Sequence, residues 1–201
     1  FRSPAVVTAN QRFEGMVDGA VDIDATIRDY ASPITIDSFD ATGRVNIANS
    51  TLGGLTIENG VIDGTYANRA GTLNQISITG PDINVTGSGA LALNDTGSSN
   101  LTAHIESPAL ERIAEIVGQP LKGAAVIDAT ITGNATELKA AGMLQGSNIG
   151  YGENQALTLK SDFTLTVPEL TPARSIVEAK NETTFVEVGG QKITGLTANI
   201  T

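Results

Sequence analysis

Cysteine and tryptophan are both missing from this 201-residue chain, histidine occurs once, and the only rings besides are five phenylalanines and three tyrosines. Without cysteine there is no disulfide, no thiol nucleophile and no cysteine-ligated zinc. With His104 as the single histidine, a Ser-His-Asp centre or a multi-histidine metal site lacks its parts. The shortage of rings bears on packing. A β-sandwich usually fills the space between its sheets with a few large aromatics, whereas the apolar residues here are Val, Ile, Leu and Ala. Basic residues are scarce too, 12 against 22 acidic, for a net charge of -10. They stand singly, as at Arg28, Arg44, Arg69, Lys139 and Lys160, so no basic patch tracks a phosphate backbone and nucleic acid is not an expected partner. No apolar run approaches the ~18 residues of a membrane-crossing helix. The chain opens on Phe1, and it is read as a segment cut from a larger protein, with residues 1–18 as a lead-in.

What is abundant is alternation. Val21, Ile23, Ala25 and Ile27 are interleaved with Asp22, Asp24 and Thr26, the period-2 pattern of a strand with one dry and one wet face. The same pattern recurs over Ile34–Phe39, Arg44–Ala48, Gly54–Glu58, Val61–Tyr66, Leu73–Ile78, Ile83–Val85, Ala90–Asn94 and Asn100–Ile105. It resumes over Ala124–Ile131, Glu137–Leu144, Leu157–Val167, Ile176–Val188 and Ile193–Ile200. Asn59-Gly60, Asp63-Gly64 and Gly80-Pro81 are read as chain reversals, because they supply positive or fixed φ. One segment departs from the rhythm. Ser107-Pro108 through Val117-Gly118 has a capping serine, a proline at the first helical position and a terminal glycine. Its Leu110, Ile113, Ala114 and Val117 form one stripe, so the pattern predicts a helix of about ten residues across an end or edge of the sheet.

A repeat sets the scale. Gly19-Ala-Val-Asp-Ile-Asp-Ala-Thr-Ile27 returns as Gly123-Ala-Ala-Val-Ile-Asp-Ala-Thr-Ile131, which divides residues 19–201 into related units, 19–122 and 123–201, in one continuous architecture.

The candidate chemistry is thin. His104 and Glu106 share the wet face of a strand with no further partner in sequence, the ordinary setting of a solvated histidine. Asp18, Asp22 and Asp24 would spread along a strand, whereas calcium needs oxygens converging from a flexible loop. Gly87-Ser-Gly89-Ala-Leu-Ala92 loosely matches a dinucleotide fingerprint but precedes a strand pattern, so it fails its context. The seven Asn-x-Ser/Thr triplets (Asn49, Asn84, Asn94, Asn100, Asn134, Asn181, Asn199) follow from polar residues two apart sharing a wet face. No catalytic residue, metal site or cofactor is expected, and the protein is not read as an enzyme. The dry face is the one functional feature with many residues behind it. On pattern alone it suits a closed core or an open ligand surface.

The order Leu101-Thr-Ala-His-Ile105, the helix, Gly118-Gln-Pro-Leu-Lys-Gly123, Ala124–Gly133 and Leu138-Lys-Ala-Ala-Gly142 resembles the repeating pattern of the AsmA/TamB superfamily of bacterial envelope proteins. The ladders Gly43-Arg-Val-Asn-Ile47, Leu55-Thr-Ile57 and Leu91-Ala-Leu93 are similar to its strands too. That resemblance covers most of residues 19–167. It implies an all-β fold: a long twisted sheet curled into a trough (a β-taco) with one short helix, in a periplasmic segment of an inner-membrane-anchored protein. It implies carriage of phospholipid acyl chains for outer-membrane biogenesis, and in TamB an outer-membrane β-barrel partner. The implied lipid groove is the aliphatic row Val21, Ile23, Ile27, Ile34, Ile36, Val45, Ile47, Leu55, Ile57, Ile76, Ile78, Leu91, Leu93, Ile127, Ile131, Leu157, Leu159 and Leu165. Each methylene kept from water contributes about 0.8 kcal/mol, so a sixteen-carbon chain amounts to roughly 12 kcal/mol. The alternatives are a structural or adhesive sandwich or solenoid with the same face packed dry, and a chaperone-like trough for outer-membrane strands.

Overall fold

The computed structural model describes residues 6–8, 11–13, 15–28 and 38–200. β1 (Val6–Thr8) and β2 (Gln11–Phe13) form a short hairpin of their own within the lead-in. The remaining strands are β3 (Gly15–Ile27), β4 (Phe39–Leu52), β5 (Leu55–Ala67), β6 (Ala70–Thr79), β7 (Asn84–Ala92), β8 (Ser99–Ser107), β9 (Leu121–Gly133), β10 (Glu137–Tyr151), β11 (Asn154–Pro168), β12 (Ile176–Val188) and β13 (Gln191–Ile200). They lie in strict chain order in one antiparallel eleven-stranded sheet, with β3 and β13 as edges that do not pair with each other. The sheet is therefore open. Among the described residues one α-helix, α1 (Leu110–Val117), sits between β8 and β9, and a 3-10 turn over Pro172–Arg174 lies between β11 and β12. The expectation of an all-β, trough-like sheet with one short helix agrees with this architecture.

Register explains how the pattern becomes two faces. Paired residues share a face, and the pairs Val21–Val45, Val45–Ile62 and Ile62–Ile76 run into Gly87, Ala103, Ala129, Gly142 and Phe163 across nine strands. The opposite face carries the row Ser77, Thr86, His104, Asp128, Met143, Asp162 and Lys180. Among the described residues the only buried hydrophobics are Ile57, Ala92, Ala114, Ala125 and Val186. Among the described residues no second sheet is packed on either face. The closed sandwich considered from sequence is absent from the described residues.

Two local readings are corrected. Asn59-Gly60 and Asp63-Gly64 do not reverse the chain; both lie inside β5, paired through Asn59 with Ala48 and Asp63 with Arg44. The reversals are instead Gly53-Gly54 and Asn68-Arg69, where both residues hold positive φ and the turn twist matches that of the strands. Removing the interior turns fuses the expected Gly54–Glu58 and Val61–Tyr66 strands into the thirteen-residue β5. At the helix, Ser107 is not the cap. Its Oγ donates to the Asp82 carbonyl at 2.9 Å, so it ends β8, and Ala109 stands at the N-cap without a side-chain bond. The C-terminal glycine reads as expected, with Gly118 in the left-handed conformation. Leu110, Ile113 and Ala114 are the covered side of α1, while Glu111, Arg112 and Glu115 are exposed.

Candidate functional site

The aliphatic face is hollowed where β3 to β8 adjoin, forming a groove of about 350 Å³. Its walls are Ile23, Val45, Ile62, Leu73, Leu91 and Leu101, and part of its floor is bare backbone at Gly43, Gly64 and Gly71. Six strands at about 4.8 Å spacing make its cross-strand extent roughly 24 Å. The floor glycines are dictated by close approach. A Cβ on Gly43 would stand 2.6 Å from Ile23 Cγ1, and one on Gly64 would stand 2.6 Å from the Thr72 carbonyl oxygen. Larger residues would fill the hollow and push the strands apart.

Leu73 reaches the groove through a bulge. The β6 register shifts between Leu73 and Ile76, so these two residues face the same way although three apart. Leu93, just beyond β7, is held at the end of the groove by its N–H, which donates to the Arg69 carbonyl at 2.7 Å. Tyr66 closes the lining, and its hydroxyl is buried with no hydrogen-bond partner among the described residues. A buried donor without an acceptor is a local cost to stability.

The sequence-derived row divides as follows. Ile23, Val45, Leu91 and Leu93 line the groove. Val21, Ile27, Ile47, Ile76, Ile78, Ile127, Ile131, Leu159 and Leu165 share its face without lining it. Leu55 faces Leu52 across the hairpin end, and Ile57 is 8% exposed. Leu157 has no ladder partner in β10 or β12. Ile34 and Ile36 lie outside the described residues. Ile62, Tyr66, Leu73 and Leu101 were not in the row. In Val61-Ile-Asp-Gly-Thr-Tyr66, the polar Asp63 and Thr65 already mark 62, 64 and 66 as the dry side.

A twisted sheet is hollow on both faces along opposite diagonals, and the polar face has its own concavity, about 810 Å³, over β6 to β11. There His104 Nδ1 lies 2.6 Å from Asp128 Oδ1, both about half exposed, a cross-strand pair invisible to a reading confined to His104 and Glu106. Gly87-Ser-Gly89 is inside β7, as its failed context required. No group of three or more metal-ligating side chains converges among the described residues, Asp22 and Asp24 included. No helix there is long and apolar enough to cross a membrane. No protein-family model, curated protein or solved structure matches the chain.

Proposed function

We propose that the chain is a non-enzymatic lipid carrier of the AsmA/TamB kind, in which the β3–β8 groove holds phospholipid acyl chains within the bacterial periplasm. The observation that supports this reading most is the uncovered aliphatic face. A groove walled by six aliphatic side chains is left open, and only five hydrophobic residues are buried among the described ones. An open apolar hollow is the kind of surface that ligands and partners use. The groove volume is at the lower end of ordinary ligand pockets, and its apolar walls ask nothing of a guest except methylenes.

The test is lipid extraction and mass spectrometry of the purified chain, with a photoreactive residue at Leu73 or, as the opposite-face control, at Thr86. Co-purifying phospholipid cross-linked from Leu73 and not from Thr86 is the expected result. A lipid-free chain that also fails to take up fatty acid from vesicles ends this reading.

A further inference from the structure

The two copies of the repeat occupy comparable places with unequal company. β3 and β9 run in the same direction, six strands apart, and Ile23, Ala25 and Ile27 share the aliphatic side with their counterparts Ile127, Ala129 and Ile131. Each copy is followed by its next strand, β4 or β10. Among the described residues only β9 is paired on its other side as well. β8 pairs Ile105 with Ile127, Ala103 with Ala129 and Leu101 with Ile131. The corresponding side of β3 is bare among the described residues. The consequence is visible at the residues the two copies share: Ile23 is 53% and Ile27 41% exposed, whereas Ile127 and Ile131 are half-buried.

The polar side repeats the contrast. Asp128 takes His104 of β8 as its neighbour at 2.6 Å. Its counterpart Asp24 has Thr42 on the inner side, and no ion pair or side-chain hydrogen bond engages it among the described residues. An unpaired edge with alternate aliphatics is a template for another strand.

We propose that the outer edge of β3 takes up an antiparallel strand of a partner polypeptide, with the chemistry of β8. That strand alternates, with aliphatic residues opposite Ile23 and Ile27 and a histidine, lysine or arginine opposite Asp24. In the register centred on Ile23, a second copy of this chain is the poorer occupant. Pairing β3 with itself about Ile23 sets Asp22 against Asp24 of the other copy twice, and like charges directly opposed are destabilising. Because the sheet has eleven strands, a copy extending it with the aliphatic side in common would bring β13 alongside β3 in parallel, against the sense of every other pair. This inference rests on the repeat and does not depend on what the groove carries.

The experiment uses the full chain and a fluorescent peptide with the sequence of Ser99–Ser107. Saturable binding is expected, with hydrogen-exchange protection gained over residues 19–27 and not over β13. The Asp24→Lys chain should bind at least tenfold more weakly, and a peptide carrying Glu in place of the histidine should restore binding to that variant. The proposal is overturned by no binding, by protection at β13, by an Asp24→Lys variant that binds as well as the parent, or by a β3-mediated dimer in sedimentation.

Discussion

The first six strands of the sheet and the last five share one face but not one surface. Over β3 to β8 that face is Ile, Val and Leu above a glycine floor, and it hollows into a groove. Over β11 and β12 the same face carries Ser161, Asn181 and Thr183, directly in line with Leu144 and Leu159 of the neighbouring strands. The alternation persists in both halves, so both fold as strands. Only the first half spends it on a continuous apolar lining. Strand formation and groove formation are separate properties of the sequence: the period sets one, and the identity of every second residue sets the other.

Substitutions can break or sharpen that difference. The largest effect is expected from Leu73→Asp, which places a charge in the groove wall; bound lipid measured by mass spectrometry should fall at least tenfold, whereas Asn181→Asp on β12 should leave it unchanged. Next comes the floor. Gly64→Val meets the Thr72 carbonyl oxygen, so urea unfolding should register a loss of about 1–3 kcal/mol from overpacking, with lipid lost alongside. Tyr66→Phe removes a buried hydroxyl that has no partner among the described residues, so urea unfolding should register no loss and a gain of up to about 1 kcal/mol. On the polar face, His104→Ala removes one side of a half-exposed pair with Asp128. The cost there should not exceed about 1 kcal/mol, and lipid content should not change.

The smallest effect is electrostatic. The Glu137 carboxylate hydrogen-bonded to Lys139 at 2.8 Å, aided by its charge, holds that ammonium above its ordinary value of 10.5. A raised lysine favours the folded state at and below the ordinary value and loses that contribution as pH climbs through the raised one. NMR titration of Glu137→Gln should therefore show Lys139 titrating lower than in the parent chain.

The sequence made the strands legible because period-2 alternation is local, and the αL glycine at the end of α1 is a one-residue signal. Its failures were also physical. Asn59-Gly60 and Asp63-Gly64 have turn chemistry, yet β5 runs through both, because Gly60 and Gly64 answer crowding on the inner face rather than a reversal. Ser107 looked like a helix cap, but Asp82 offers its hydroxyl a carbonyl across the strand end. Leu73 joined the groove through a bulge that no alternation count anticipates. His104 gained its partner from 24 residues away, a distance set by register alone. The groove residues were half legible for the same reason: Ile23 and Val45 follow from their own strands, whereas which aliphatics surround one hollow depends on how neighbouring strands are staggered.

Because the sheet is one layer thick and follows chain order, each strand leans almost wholly on the two beside it. Such a body has no shared centre whose loss brings down the whole, and its stability is a sum of intrinsic and nearest-neighbour terms. It should come apart by unzipping from its margins rather than by melting at once. Trimming β12 and β13 would leave the groove-bearing strands standing, and lengthening the sheet by further strands would add reach without redesigning anything already built.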